Sequence, residues 1–545
     1  MRINNSRNKI IILVFGLLLK GCASITSPGG GPRDKIPPQP VLSNPEHQQL
    51  NFKEQRIEIT FDEFIELNNP HKEIIITPKL KEKVVIDFKG KMLYININEE
   101  LQENTTYTIN FREAVRDITE RNPAKNLKLA FSTGNYIDTA YIKGTVKNIL
   151  TEKPSNGCLI GLYSANDTLS IINQPPVYLT YADKEGNFQI DNLAKGRYRI
   201  YALNDANNNA IVDFKSESYG FLSSILELDT GLTDINIPVL YNNKNPMKLQ
   251  SARPNGKYFL AKFNKYVDTY KIHSDSTIFT TIEEKNTAIK FYNNFFNKTD
   301  SLNIIIETVD TTGIVDTFST VLKFSESPRQ YDKYSFTTEI KNIVDKNYLL
   351  NANVLFNKPS FILDKDSIFL QIDSTTIVPL DSMVYQWQQN NTKFNIQYNF
   401  AKHVHDSLDI KAINLSLNNQ AFISIDHDTT IYQSKKINLV TKETTGTIEI
   451  EVKTTHPSFI VQLLDLSFKL LDQQSNKPSF SFNNVLPGSY IIRLLIDSNN
   501  NGRWDQGNIL ENIEPEPVII YKNTEDQASQ TLKANWILGP LIFEY

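Results

Sequence analysis

Apolar and polar residues alternate with a period of two through much of this chain, and this pattern constrains the fold more than any other feature. In the stretch Ile57-Glu-Ile-Thr-Phe61 the first, third and fifth side chains are apolar. Residues 93–97 and 107–111 repeat the pattern. Successive side chains point to opposite faces of a strand, and no convincing 3.6-residue period is present. We therefore predict an all-β chain of short, half-buried strands.

The length and composition indicate several folded domains. The chain has 545 residues, of which 40% are hydrophobic and 10% aromatic. This length and composition are enough for roughly three to six domains, each with its own hydrophobic core. The formal net charge is −4, and no basic block is present, so nucleic acid is not expected as a partner. No stretch beyond the N-terminus approaches the length of a membrane-spanning helix.

The N-terminus has the parts of a secretory signal: a basic start, an apolar run of ten residues and a small residue at the predicted cleavage point. Leu19, Gly21 and Cys22 resemble the lipobox of bacterial lipoproteins. Lys20 departs from that pattern, in which a small residue is commoner. The resemblance implies a lipoprotein signal peptide over residues 1–21 and a lipid on Cys22. The alternative is an ordinary signal peptide followed by an incidental cysteine.

Residues 22–40 are rich in Gly and Pro, which disfavour both helix and central strand, so we predict a tether. Lipoproteins of the Bacteroidota, which this one resembles, often open with a similar stretch. No aspartate follows Cys22 directly and no acidic cluster lies near it. By analogy with lipoprotein sorting, we expect a lipid-anchored protein of the outer membrane, with the periplasmic face favoured over the cell surface.

The first predicted domain, residues 41–135, reads as a β-sandwich of short strands separated by Asn, Pro and Gly turns. Its segments 101–107, 114–117 and 131–133 resemble the bacterial Ig-like domain of S-layer and other cell-surface proteins. The resemblance implies a sandwich used for spacing or interaction.

One pattern occurs twice at a constant offset of 292 residues. The two matching sets are Gly196, Tyr198, Asp205, Asn207, Asn209 and Asp213, and Gly488, Tyr490, Asp497, Asn499, Asn501 and Asp505. A repeat of this kind predicts two copies of one fold. It resembles the transthyretin-like or carboxypeptidase-regulatory-like sandwich, which implies a binding and spacing module without activity of its own. In the second copy, alternate residues from Tyr490 to Ile496 are expected to line one face.

The repeats are predicted to span residues 138–242 and 446–545. Weaker motifs around residues 257–263 and 353–359 predict two further Ig-like sandwiches between them, at 246–330 and 331–445. The predicted fold is thus a tandem array of β-sandwich modules behind a lipoprotein signal and tether.

The Asp/Asn stretch of each repeat has two open interpretations. If Asp497 is counted as position one, the loop follows the spacing of an EF-hand-type calcium loop. Side-chain ligands would then stand at positions one, three, five and nine, and a backbone carbonyl at position seven. The candidate ligands are Asp497, Asn499, Asn501, Arg503 and Asp505 in one copy, and Asp205, Asn207, Asn209 and Asp213 in the other. Position twelve is Asn508 instead of an acid, Glu511 lies three residues later, and the first copy has Ala210 in place of the glycine. Asx turns would explain the same residues, so each loop is either a weak calcium site or a polar turn.

Other candidates for chemistry are sparse. His403 and His405 would share one face of a strand and form a weak candidate metal pair, although a solvated strand face also explains them. Cys158 lies in an apolar stretch and is expected to be a buried hydrophobe. No nucleophile elbow, zinc-protease, P-loop or dinucleotide motif occurs, so we do not expect an enzyme.

The sequence therefore favours a lipid-anchored, non-catalytic structural or interaction protein that binds an envelope partner. A narrower hypothesis is an accessory lipoprotein of an outer-membrane assembly or export machine, with a β-barrel protein as partner. A third hypothesis is glycan binding at the cell surface. Only three tryptophans are present, and their spacing suggests no sugar-stacking platform.

Overall fold

The structure is a computed structural model. It describes residues 34–545 apart from 125, 167, 169, 276, 284, 294–300, 325–331, 341–342, 345–348, 374–375, 402–411 and 441. The described chain is nearly all β, which confirms the predicted all-β sandwich array. Among these residues, no helix combines the length and apolar character that crossing a membrane would require.

The described residues divide into two compact units. One ends at Ala140 and includes Asp191–Ala194; the other comprises Tyr141–Ile190 and Lys195–Tyr545. The strands of the first unit are β1 (Pro40–Asn44), β2 (Arg56–Phe61), β3 (Ile65–Leu67), β4 (Ile75–Thr77), β5 (Val85–Lys89), β6 (Met92–Asn96), β7 (Thr106–Asn110), β8 (Val115–Asp117) and β9 (Lys128–Ser132), with the short helix α1 (Pro70–Glu73) between β3 and β4.

Sheets β1-β2-β6-β5 and β4-β7-β9 and the pair β3-β8 build this first unit. Ile57, Ile59 and Phe61 are all buried, as the alternation predicted, and they belong to one core cluster with residues of both larger sheets. Tyr107 stacks on Phe131 in that cluster, with ring centroids 5.7 Å apart. The period-two pattern therefore buries one face of each sheet.

The first repeat belongs to the second unit, except for Ala140 and Asp191–Ala194. Its strands are β10 (Ala140–Asn148), β11 (Leu159–Ser164), β12 (Tyr178–Tyr181), β13 (Asn187–Leu193), β14 (Gly196–Leu203), β15 (Ser218–Phe221), β16 (Leu226–Leu228) and β17 (Gly231–Tyr241). The sheet order is β12-β11-β14-β15-β17-β10-β13, and β16 also pairs with β14. The pairing of β10 with β17 is parallel, whereas β11 and β14 are antiparallel.

Two stretches of strands follow. The first contains β18 (Leu249–Asn255), β19 (Tyr258–Phe263), β20 (Thr269–His273), β21 (Phe279–Ile282), β22 (Ala288–Tyr292), β23 (Ser301–Val309) and β24 (Val315–Lys323). The second contains β25 (Phe336–Ile340), β26 (Ile343–Val344), β27 (Leu349–Phe356), β28 (Ser360–Ile362), β29 (Ile368–Gln371), β30 (Ile377–Pro379), β31 (Val384–Gln388), β32 (Lys393–Asn399), β33 (Ala412–Leu417), β34 (Phe422–Ser424) and β35 (Gln433–Val440), with short 3-10 turns at Leu380–Ser382 and Lys442–Thr444. Each stretch folds into its own antiparallel sheets, apart from the parallel pair β26-β35.

The second repeat closes the unit. Its strands are β36 (Gly446–Lys453), β37 (Phe459–Leu464), β38 (Leu470–Ser475), β39 (Ser479–Val485), β40 (Gly488–Ile496), β41 (Val518–Ile520), β42 (Gln530–Leu532) and β43 (Ile537–Glu544). The pair β36-β43 is parallel, as β10-β17 is in the first repeat, and β37-β40 is antiparallel, as β11-β14 is. The alternate residues from Tyr490 to Ile496 lie in one buried cluster, as predicted. The two repeats therefore share a strand topology.

Candidate functional site

The candidate residues fall into three groups in the structure. Cys22, His403 and His405 lie outside the described residues. The Asp/Asn loops follow equivalent strands, since β14 ends at Leu203 before Asp205 and β40 ends at Ile496 before Asp497. Cys158 is completely buried, as expected, and burial raises the pKa of its thiol to about 12. A reactive thiolate is therefore disfavoured at that position.

Asp497 organises the loop of the second repeat. It is completely buried, and its Oδ1 accepts the backbone N–H of Asn501 at 3.0 Å. Its Oδ2 accepts the backbone N–H of Gly502 at 2.9 Å and the hydroxyl of Ser458 at 2.7 Å. Burial raises the pKa of this carboxyl, but the hydrogen bonds from Ser458 and from the loop backbone outweigh burial and hold the pKa below its ordinary value. Asp497 is therefore an ionised carboxylate surrounded by donors.

The other predicted ligands of this loop converge on Asp505. The side-chain amides of Asn499 and Asn501 both donate to its Oδ2 at 2.6 Å. The guanidinium Nε of Arg503 lies 3.1 Å from its Oδ1. The calcium-loop spacing predicts only a carbonyl role for Arg503, and the contact made by its charged side chain is found in the structure. In this geometry both carboxylate oxygens of Asp505 already have protein partners.

Glu516 completes the loop, although the calcium-loop spacing does not predict it. Its Oε1 accepts the backbone N–H of Ser498 at 2.7 Å, and its Oε2 accepts that of Asp505 at 2.8 Å. That spacing predicts the acid near position twelve, where Asn508 and Glu511 lie. A signal was present in the first repeat, where the shorter loop places a glutamate four residues after its last aspartate.

That glutamate is Glu217, and it is buried. Its Oε1 accepts the backbone N–H of Ala206 at 2.9 Å, and its Oε2 accepts that of Asp213 at 2.8 Å. The Asp213 carboxylate accepts hydrogen bonds from the backbone of Lys215 and the hydroxyl of Ser216, and these bonds lower its pKa.

The loop of the first repeat is held by Asp205 and Asn207. Asp205 accepts from the backbone N–H of Asn209 at 3.2 Å and of Ala210 at 2.9 Å. The Oδ1 of Asn207 also accepts the Asn209 N–H, at 3.0 Å. Ala210 has a φ of 58°, whereas Gly502 at the same place in the second loop has 86°. The left-handed turn is thus kept even where alanine replaces the glycine that such a conformation favours.

The loops therefore have the hydrogen-bond geometry of Asx turns closed by a buried glutamate. Within the described part of the chain, no group of three or more His, Cys, Asp or Glu side chains is placed to hold a metal ion. A weak calcium site, in which a cation would share the oxygens of Asp497 and Asp505, stays a prediction for experiment.

The two repeats pack against one another through these loops. Ile509, which follows the second Asp/Asn loop, belongs to a buried cluster with Tyr201 and Phe221 of the first repeat. Ser223 donates from both its backbone N–H and its hydroxyl to Glu514, each at 2.6 Å.

Further contacts extend this interface. The side-chain amide of Asn242 donates to the carbonyls of Gln506 and Gly507 at 3.1 and 3.3 Å. Arg493 donates from Nη1 to the carbonyl of Leu150 at 2.7 Å. Lys522 lies 3.1 Å from Glu152. The last strands of the chain are therefore joined to the first repeat by both apolar and charged contacts.

Comparison with known proteins supports the fold. The family model described as bacterial Ig-like domain matches residues 34–133. No curated protein matches the chain.

Solved structures with some similarity include the major pilin subunit BcpA of Bacillus cereus, at 10% identity and a TM-score of 0.13, covering 74% of this chain and 97% of that one. The latent PorU dimer of Porphyromonas gingivalis has 9% identity and a TM-score of 0.22, covering 53% and 35%. The human desmocollin-1 ectodomain has 8% identity and a TM-score of 0.12, covering 74% and 79%. These scores are too low to carry an argument, and the Ig-like match over residues 34–133 suggests a structural or interaction protein.

Proposed function

We propose that this chain is a lipid-anchored structural and interaction protein of the bacterial outer membrane. The observation that carries the proposal is the succession of a lipobox-like sequence ending in Cys22, a Gly/Pro-rich stretch and an all-β chain with an Ig-like first domain. An acylated N-terminal cysteine would fix one end of the protein at the membrane. The sandwich modules would then present binding surfaces to other envelope components.

The packing of the two repeats supports a scaffold role. Ile509, Arg493 and Lys522 connect the end of the chain to the first repeat. Residues 246–445 are thereby held between two modules that contact each other. A unit closed in this way can keep its surfaces in a fixed arrangement, which is useful for a protein that positions partners.

Two narrower functions compete within this proposal. An accessory subunit of an outer-membrane assembly or export machine would require a stable protein partner, for which a β-barrel protein is the candidate class. Glycan binding would require exposed aromatic faces. Trp387 packs on Phe394 with ring centroids 4.7 Å apart, and Lys533 lies 4.5 Å from the ring centroid of Trp536. Trp387 is therefore partly covered by protein, whereas Trp536 is 52% exposed and is the tryptophan to substitute in a test of sugar binding.

The anchor is tested with two matched cysteine variants. Cys22→Ala should abolish acylation, measured by intact mass and fatty-acid labelling, and should move the protein from the membrane fraction to a soluble or uncleaved form. Cys158→Ala is the control, because this thiol is buried and should leave acylation unchanged. Fatty-acid labelling of Cys22→Ala would show that the anchor assignment is wrong.

The partner is tested by crosslinking intact cells and purifying the wild-type protein. Repeated recovery of one β-barrel protein would support the accessory-subunit function. Recovery of other envelope proteins would support the broader interaction role. If replicate experiments return no envelope partner while the protein is acylated and folded, the interaction role is wrong. A comparison of protease digestion on intact and on lysed cells determines which face of the outer membrane the protein occupies.

A further inference from the structure

Three large apolar side chains are exposed at one end of the first unit, where the described chain begins. Ile36 is 66% exposed, Phe64 59% and Ile118 53%. We call these three residues the apolar patch. Single exposed apolar side chains are common, but a group of them at one end of a domain often marks a contact surface.

Backbone pairing brings Phe64 and Ile118 together. In the antiparallel pair β3-β8, Ile65 lies opposite Asp117. Phe64 directly precedes β3 and Ile118 directly follows β8, so both residues adjoin this last pair and their backbones lie close together. Asp117 is buried and accepts the backbone N–H groups of Glu120 and Arg121, which holds the turn after Ile118 in place.

Ile36 is held at the same end by contacts on both sides. The carbonyl of Asp34 accepts the side-chain amide of Asn122 at 3.2 Å. Gln39 and Asp62 exchange two hydrogen bonds, of 2.8 and 3.0 Å. The segment that carries Ile36 is therefore fixed between the turn after Ile118 and the residues just before Phe64.

The occupant of this patch follows from its position in the chain. Asp34 lies twelve residues after Cys22, and a chain of that length spans at most about 40 Å. A lipid on Cys22 would hold the patch near the bilayer at high effective concentration, so that a weak interaction suffices. Charges of both signs lie beside the patch, since Lys91 contacts the Phe64 ring and the carboxylates of Asp34 and Asp62 act on the neighbouring Glu63. Mixed charge suits zwitterionic headgroups.

We propose that Ile36, Phe64 and Ile118 insert into the headgroup region of the phospholipid bilayer that holds the Cys22 lipid, and so orient the first unit on the membrane. This inference rests on the proposed lipid anchor. The patch then acts as a second contact beside the acyl chains.

The test uses the full mature chain, with acylation verified by intact mass, reconstituted into phosphatidylcholine vesicles with or without brominated acyl chains. Phe64→Trp adds a fluorophore within the patch, and the native tryptophans are measured as background in the wild type. Tyr136→Trp is the matched control, because Tyr136 is 48% exposed and bonds to Asn104 beside the start of β7, away from the patch. We expect brominated lipid to quench the tryptophan at position 64 and to leave that at position 136 unquenched.

Adding Ile36→Ser and Ile118→Ser to Phe64→Trp should reduce the quenching. If the acylated protein shows no quenching at position 64, or equal quenching at both positions, the patch proposal is wrong while the anchor stands. If the mature chain carries no lipid, the anchor and the patch proposal fall together. Far-ultraviolet circular dichroism of each variant verifies that the sandwich is folded.

Discussion

Glu217 and Glu516 make the same contact in the two repeats. Each buried carboxylate accepts one backbone N–H from the residue after the first aspartate of its loop and one from the last aspartate. The two glutamates follow that last aspartate by four and eleven residues respectively. The contact is preserved although the second loop is longer. The additional residues, which include Ile509, extend away from the loop and pack on the first repeat.

The first prediction concerns Asp497, which gathers three donors in a buried position. Asp497→Ala should lower the free energy of unfolding by about 1–3 kcal/mol, because Ser458 and two backbone N–H groups lose their acceptor. Urea denaturation measures the change, and the exposed Glu525→Ala serves as control. Equal effects of the two substitutions would contradict the assigned role of Asp497.

The lowered pKa of Asp497 makes its contribution to the free energy of unfolding depend on pH. Its folded value lies below the ordinary 3.8, so its contribution to stability is present above pH 3.8 and is lost as the pH falls through the folded value. The stability difference between wild type and Asp497→Asn should therefore be largest near neutral pH and shrink below pH 3.8. A difference that grows on acidification would contradict this sign.

The second prediction decides between the two interpretations of the Asp/Asn loop. Protein donors already occupy the oxygens of Asp497 and Asp505, so we expect the loop to act as a polar turn whose melting temperature does not change with calcium. A site with a Kd near 1 mM would instead add about 1.4 kcal/mol at 10 mM calcium. A rise with calcium in the wild type that disappears in the double variant Asp497→Ala, Asp505→Ala would assign a calcium site; magnesium is the control ion.

The third prediction concerns the contact between the repeats. Ile509 is buried among residues of the first repeat, whereas the next residue, Leu510, is 60% exposed. Ile509→Ala should lower the free energy of unfolding by about 2–4 kcal/mol, and Leu510→Ala should change it by less than about 0.5 kcal/mol. Limited proteolysis should cut the first repeat faster in Ile509→Ala. Similar results for the two variants would argue against the packing of the repeats in solution.

The fourth prediction compares two lysine ion pairs of nearly equal length. Lys358 is buried and lies 2.9 Å from Asp426 and 3.0 Å from Asp428. Lys365 lies 3.0 Å from Asp381, and both of those side chains are at least half exposed. Lys358→Met should cost about 3–5 kcal/mol because a buried carboxylate loses its partner. Lys365→Met should cost less than about 1 kcal/mol, since water screens that pair. Urea denaturation at low and high salt measures both.

The class of fold and the positions of the repeat loops could be predicted from local sequence patterns. Alternation at Ile57, Ile59 and Phe61, and again from Tyr490 to Ile496, predicted buried strand faces, because the two-residue period of a strand is a local property. The spacing from Asp497 to Asp505 located the loop correctly, since Asx turns depend on neighbours two to five residues away.

The distant residues that complete the loops, and the contacts that join the repeats, depend on long-range packing and could not be predicted in this way. Glu516 reaches Ser498 and Asp505 across a stretch whose length differs between the repeats, and loop length is weakly constrained because closing a longer loop costs little entropy. Likewise, no local pattern indicates that Ile509 packs beside Tyr201 or that Arg493 donates to Leu150. Those contacts depend on the faces that two folded sheets present to each other, and such faces exist only after the strands have paired.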